Sequence, residues 1–221
     1  MKSILSTKKL SVSQRELLLN SGLSFVEYDA IDIEFIDFEV LAEIENGIFT
    51  SQNAVNSFFK NSVGKNSIQN SFCVGNKTEA LLLNFGQKVI KKADNASELA
   101  LFIIKNHQND SFLYFSGSRR RDELPEILKK AKIDVFETKT YKTELKAMKF
   151  AQKWDGILFF SPSGVESFVV ENTMANSAVF CIGETTASEA KRYTSNVIVA
   201  NSTTVESVIA KAVTALKKNQ Y

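Results

Sequence analysis

Ile48-Phe49-Thr50-Ser51-Gln52-Asn53-Ala54-Val55-Asn56-Ser57-Phe58 and Leu158-Phe159-Phe160-Ser161-Pro162-Ser163-Gly164-Val165-Glu166-Ser167-Phe168 are two copies of one pattern. Each reads as an apolar strand end, a hydroxyl-bearing turn and then apolar residues at helical spacing. The correspondence resumes after a two-residue shift, where Cys73, Gly75, Thr78, Asn95 and Glu98 fall on Cys181, Gly183, Thr186, Thr203 and Glu206. Each copy is therefore one βαβαβα unit. A weaker pair flanks them. Ile4-Leu5-Ser6-Thr7, a helix and Val26-Glu27-Tyr28 resemble Tyr114-Phe115-Ser116-Gly117, a helix and Val135-Phe136-Glu137. The chain runs short unit, long unit, short unit, long unit and predicts two similar α/β domains. The repeat leaves open which short unit completes which domain.

Around these copies, β-branched and aromatic runs alternate with helical patterns. The runs are Ser3 to Ser6, Ser24 to Tyr28, Gly47 to Phe49, Phe72 to Val74, Lys88 to Ile90, Phe112 to Phe115, Val135 to Thr138, Gly156 to Phe160, Val179 to Ile182 and Asn196 to Val199. That rhythm predicts parallel sheets covered by helices. Helix starts are predicted where a capping side chain precedes a glutamate by three, at Ser13/Glu16, Asn95/Glu98, Ser163/Glu166, Thr186/Glu189 and Thr203/Glu206. Gly22 and Gly86 fit helix stops, and Pro125 lies near the start of a helix expected over Arg121 to Lys132.

Composition excludes several function classes. A net charge of +2 over 221 residues is too small an excess for a nucleic-acid-binding protein. Apolar runs such as Ile157 to Phe160 fall far short of the roughly 20 residues a membrane span requires. The opening Met-Lys-Ser-Ile-Leu-Ser-Thr-Lys-Lys lacks the apolar core of a secretory signal, so the expected location is cytoplasmic, with Cys73 and Cys181 reduced. Two separated cysteines and one histidine, His107, offer almost nothing for a metal site. His107 reads as a solvated residue at a helix end. No G-x-x-x-x-G-K or G-x-G-x-x-G pattern occurs, so neither a metal nor a nucleotide cofactor is expected.

In open parallel sheets, ligands gather beyond the carboxyl ends of the strands, where helix N-termini aim N–H groups at them. This chain places hydroxyls there: Ser6 and Thr7, Thr50 and Ser51, Thr78, Ser116 and Ser118, Ser161 and Ser163, Thr185 and Thr186. Each also reads as an ordinary helix cap. Their recurrence in both copies points to an anionic ligand. Arg119-Arg120-Arg121 reads as solvated helix face or as a carboxylate contact, and Lys129/Lys130 and Lys217/Lys218 as complements to helix dipoles. Cys73 and Cys181 read as small buried apolar residues.

Phe49-Thr50-Ser51, Val74-Gly75-Asn76-Lys77-Thr78, Tyr141-Lys142-Thr143, Phe159-Phe160-Ser161-Pro162-Ser163-Gly164-Val165 and Ile182-Gly183-Glu184-Thr185-Thr186-Ala187, taken in this order, resemble the uroporphyrinogen-III synthase family over essentially the whole chain. The resemblance implies two α/β domains with parallel sheets flanked by helices, joined by a two-stranded linker and with a cleft between them. Residues 1 to 34 and 144 to 221 would form one domain and 35 to 143 the other. It also implies that Tyr141 is the side chain engaged in chemistry. Thr50, Ser51, Thr78, Ser161, Ser163, Gly164, Thr185 and Thr186 would meet acetate and propionate groups of the substrate. Ser118 and Asp122 stand where the family often has Asn and Glu, and Glu79 where a small residue commonly follows the threonine.

The activity so implied is closure of hydroxymethylbilane to uroporphyrinogen III, with loss of water and inversion of ring D, by a cytoplasmic, cofactor-free monomer. Such a reaction is a problem of geometry, and positioning can supply about 7 to 11 kcal/mol in favourable cases. The alternative is a non-catalytic two-domain protein that binds a small polycarboxylate.

Overall fold

The structure, a computed structural model, describes residues 1–39, 43–61, 67–174 and 176–218, with the backbone alone at 61 and 218. The chain opens with β1 (Ser3–Ser6), α1 (Val12–Leu19) and β2 (Ser24–Glu27), then runs through β3 (Ile31–Phe35). There follow β4 (Glu43–Phe49), α2 (Gln52–Asn61), β5 (Ser67–Val74), α3 (Asn76–Asn84), β6 (Val89–Ala93), α4 (Ala96–Asn106), β7 (Ser111–Gly117), α5 (Glu123–Lys130) and β8 (Asp134–Leu145). It ends with β9 (Gly156–Phe159), α6 (Pro162–Val169), β10 (Ala178–Cys181), α7 (Glu184–Ala190), β11 (Val197–Val199) and α8 (Val205–Lys218). Two compact units result: Met1–Asp32 with Glu144–Tyr221, and Ile33–Thr143.

The first unit holds a five-stranded sheet in the order β11-β10-β9-β1-β2, with parallel neighbours throughout. In the second, β6-β5-β4-β7-β8 repeats that order, again all parallel, and β3 adds a sixth strand beside β8. Strand for strand the two sheets match, but the short β-α-β piece comes first in chain order in one unit and last in the other. The units are circular permutants of one topology. The expected parallel α/β architecture is thus present in both. β3 runs antiparallel to the far half of β8, because Ile36 N–H donates to the Thr140 carbonyl while Lys146 N–H donates to that of Ala30. Ile31–Phe35 is not among the expected apolar runs, but it matches the two-stranded linker that the family resemblance implies.

Parallel strands are buried on both faces, and the two-residue side-chain period gives each sheet two cores. In the first unit Leu5, Ile157, Phe159 and Val179 pack under α6 and α7 through Val165, Phe168 and Ala187. Ile4, Leu158 and Phe180 face α1 and α8 through Leu18, Val208, Ile209 and Leu216. In the second, Ile48, Phe72, Phe112 and Tyr114 meet α4 and α5 at Leu99, Ile103, Leu124 and Leu128. Phe49, Cys73 and Phe115 meet α2 and α3 at Val55, Phe58 and Leu82. Phe115 stacks on Phe49 at 4.7 Å and takes Phe58 edge-on at 4.9 Å.

Helix starts differ from the expected ones in four of five cases. Asn95 does cap α4, accepting from Glu98 N–H at 2.9 Å. Elsewhere the cap lies nearby: Ser11 with Gln14 for α1, Ser161 for α6, Gly183 for α7, and Thr204 for α8, where its hydroxyl accepts from Ser207 N–H. At α6, α7 and α8 the residue three beyond the cap is Gly164, Thr186 and Ser207 rather than a glutamate, so a local spacing rule does not find these starts. Gly22 and Gly86 close α1 and α3 with φ of +75° and +72°, as expected of helix stops. α5 is shorter than expected, starting at Glu123. Lys129 and Lys130 lie in its last turn as expected, whereas the side chain of Lys218 lies outside the described residues. His107 is half-buried rather than fully solvated. It ends α4, sets its ring edge-on to Phe72 at 5.1 Å and bonds Asp110 at 2.7 Å.

Phe115 is the ring on which the α2-side core of the second unit converges. Phe115→Ala should destabilise the protein by about 3–5 kcal/mol, read from urea unfolding followed by circular dichroism. A loss below about 1 kcal/mol would show that the cluster collapses around the void.

Candidate active site

In the second unit β4 ends at Phe49 and delivers Thr50 and Ser51 to the start of α2. Ser51 Oγ accepts from Ala54 N–H at 3.1 Å, capping the helix, and donates to Tyr141 Oη at 2.9 Å. The Tyr141 proton is therefore directed elsewhere, and it meets no acceptor among the described residues. Burial raises the Tyr141 pKa above the ordinary phenol value, an effect that the Ser51 hydrogen bond partly offsets. At neutral pH the group is a neutral donor. Thr50 Oγ1 lies 3.0 Å from Tyr114 Oη, whose pKa burial likewise raises. Thr78 is buried in the first turn of α3, which starts at Gly75 with no side-chain cap.

The first unit repeats the layout. Ser161 follows β9 and caps α6, accepting from Gly164 N–H at 3.0 Å, with Pro162 in the first turn. Ser163 is half-buried, and Gly164 is buried with Thr7 Oγ1 beside it. α7 starts at Gly183 without a side-chain cap, with Thr185 exposed and Thr186 buried. By the repeat, Ser161 and Thr186 correspond to Ser51 and Thr78. Both units thus gather hydroxyls and helix starts at the carboxyl ends of their strands, an arrangement that favours anions.

Neighbouring groups are committed to the protein. Arg120 pairs with Glu137 and Asp122, and Ser116 Oγ donates to Glu137 at 2.5 Å. Arg120 is thus an ion-pair partner rather than a solvated helix-face residue. The arginine's hydrogen bond is the main cause that holds the Glu137 pKa below its ordinary value. Cys73 and Cys181 are fully buried, and burial pushes both thiols up to about 12. That makes them inert core residues. Among the described residues no cluster of three His, Cys, Asp or Glu side chains is placed to hold a metal ion. Nor is any described helix long and apolar enough to cross a membrane. A cavity of about 530 Å³ in the second unit is lined by Tyr114, Pro125, Lys129, Phe136 and Glu137 among others, and by none of the sequence-predicted site residues.

Sequence reasoning missed Tyr114 as the partner of Thr50, and Gly117 beneath Tyr141. A glycine in a strand signals close approach by another group, and Gly117 ends β7.

The fold and site define a class: two permuted α/β units, with anion-favouring strand ends in both and a neutral phenol donor in one. The profile of the family described as uroporphyrinogen-III synthase HemD matches residues 14–210. The chain belongs to the uroporphyrinogen-III synthase family, whose members are enzymes of tetrapyrrole biosynthesis. The uroporphyrinogen-III synthetase of Helicobacter pylori 26695 superposes with a TM-score of 0.73 at 19% identity, over 97% of this chain and 100% of that one. A mutant uroporphyrinogen III synthase of Thermus thermophilus gives 0.70 at 12% identity, over 99% and 100%. The wild-type Thermus thermophilus enzyme in a second crystal form gives 0.57 at 12% identity, over the full length of both chains. At these identities the structures share the fold. No curated protein sequence matches the chain.

The Glu137–Arg120 pair yields a pH prediction. Because the folded-state pKa of Glu137 is depressed below 4.5, its contribution to stability is fully present above pH 4.5 and fades as pH falls through the lower folded value. Glu137→Gln should therefore have a lower urea midpoint than the parent at pH 7, with the gap closing on acidification. A gap unchanged down to pH 3 would assign the effect to something other than ionisation.

Proposed function

We propose that the protein is a lyase that closes hydroxymethylbilane to uroporphyrinogen III, with loss of water and inversion of ring D through a spiro intermediate. The observation that carries this reading is the Ser51–Tyr141 hydrogen bond, which occupies the phenol oxygen as acceptor and leaves its proton for a ligand. Family membership supplies the reaction class.

Tyr141 donates its proton to the departing hydroxyl, the C–O bond breaks and water leaves. The resulting cation is delocalised over its pyrrole, so little further stabilisation is asked of the protein. The methylene carbon is attacked by the already substituted carbon of ring D, giving the spiro species. That species opens and recloses with ring D inverted, and the proton released on rearomatisation restores the phenol. The net change is loss of one water. Thr50, Ser161 and Ser163 beside Gly164, and the first turns of α3 and α7 with Thr78, Thr185 and Thr186, grip the acetate and propionate carboxylates, while Ser51 gives its one proton to Tyr141 and holds the phenol in place. Neutral donors are well suited to such a grip, because they hold an anion without trapping it in a strong ion pair. In this reading the enzyme is a cytoplasmic monomer that needs no metal or nucleotide. The binding-only alternative is not favoured, because the family consists of enzymes.

Purified protein given freshly generated hydroxymethylbilane should yield predominantly type III uroporphyrin after oxidation and chromatography, at a rate unchanged by EDTA. Type I at the enzyme-free level from a folded sample would refute the activity. Tyr141→Phe should slow type III formation by on the order of 10² to 10⁴-fold, and full rate with full type III yield would remove Tyr141 from the chemistry.

A further inference from the structure

Tyr141 reaches its position through a defect in the sheet. The parallel register of β7 and β8 pairs Ser116 with Lys139 but Gly117 with Tyr141, so Thr140 is the extra residue of a bulge. Bulges re-aim the side chain that follows them. This one is pinned on all sides. Thr140 is fully buried, its hydroxyl donates to the Ser116 carbonyl at 3.3 Å, and its carbonyl accepts from Ser57 Oγ at 2.5 Å and from Ile36 N–H at 3.0 Å. Just beyond, Ser118 N–H donates to the Tyr141 carbonyl at 3.0 Å, and Ser118 Oγ accepts from Thr143 N–H at 3.1 Å.

The ring so aimed lies on Gly117. A Cβ at that residue would stand 2.3 Å from Tyr141 Cζ, 2.4 Å from Cε2 and 2.7 Å from Oη. Gly117 is not among the glycines with positive φ, so its backbone accepts alanine. What the position forbids is the methyl group, and the group it forbids it for is the phenol end of Tyr141.

We propose that Gly117 is a positioning residue for the reaction, and that with the Ser57-pinned bulge at Thr140 it forms the mount that holds the Tyr141 hydroxyl against Ser51. This rests on the reading of Tyr141 as the proton donor. Replacing Gly117 by alanine forces the ring to withdraw by about 1 Å to reach ordinary contact distance, and a misplacement of that size costs on the order of 10²-fold in rate.

The test is a double-mutant cycle of Gly117→Ala with Tyr141→Phe, read as the rate of type III formation and the type III to type I ratio. Circular dichroism melts accompany each variant. Gly117→Ala alone should lose on the order of 10²-fold and shift product toward type I, whereas adding it to Tyr141→Phe should change neither rate nor ratio. Gly117→Ala at parental rate and ratio, beside an impaired Tyr141→Phe, overturns the positioning role and leaves the Tyr141 reading intact. An equal further loss in the Tyr141→Phe background overturns it as well, since the damage would then be structural. Tyr141→Phe at full rate overturns the proton-donor reading and the mount together. If Gly117→Ala does not fold, Ser57→Ala enters the same cycle, and it should lower the rate only where the phenol is present.

Discussion

Every βα connection in a parallel sheet begins at the carboxyl end of a strand, and every sheet of this kind must be covered on both faces. That one constraint arranges nearly everything of consequence in this chain. It sends the starts of α2, α3, α6 and α7 to one end of their sheets, with Ser51, Thr78, Ser161 and Thr186 in or before their first turns. It also accounts for the four buried clusters, two for each sheet, among the described residues. Helix N–H groups there need partners, which Ser51 and Ser161 supply at α2 and α6, whereas α3 and α7 start without a side-chain cap. A ligand with several carboxylates therefore meets donors that the fold already requires.

Much of this architecture was legible because it is periodic. Continuous apolar runs such as Gly156–Phe159 mark strands buried on both faces, and the copy of Ile48–Phe58 at Leu158–Phe168 marks the second α/β unit. Helix starts were less legible, since Ser13 and Ser163 carry the glutamate spacing while Ser11 and Ser161 are the residues that cap. β3 was absent from the strands read from residue runs, and only the family resemblance, with its two-stranded linker, implied a strand there. Ile31-Asp32-Ile33-Glu34-Phe35 alternates apolar and polar residues as a half-covered edge strand does, a pattern different from the continuous apolar runs of its neighbours.

The site was legible as a set of residue types and illegible as a set of contacts. Hydroxyls at strand ends can be read from spacing, but nothing local joins Ser51 to Tyr141, Thr50 to Tyr114 or Ser57 to the Thr140 carbonyl. Those bonds depend on β4 and β8 both flanking β7 and on one residue of register lost between Ser116 and Gly117. A bulge leaves almost no local sequence signature, because its cause is the demand of distant partners on Thr140.

The permuted repeat explains why the phenol belongs to one unit alone. β1 and β7 occupy equivalent places in the two sheets, and Ile4-Leu5-Ser6-Thr7 aligns with Tyr114-Phe115-Ser116-Gly117. By register, however, Ser6 pairs with Leu158 and Tyr114 with Ile48, so Thr7 stands in its sheet where the second unit has Phe115. Its side chain is buried, and its hydroxyl donates at 2.7 Å to the carbonyl of Leu158, the counterpart of Ile48. The strands that would carry a phenol ring differ: β2 ends at Glu27, while β8 continues twelve residues from Asp134 to Leu145 and passes the end of β7. One topology used twice therefore gives both units helix starts and hydroxyls suited to carboxylates. A longer strand, bulged where it passes Gly117, lets only the second also present an acid.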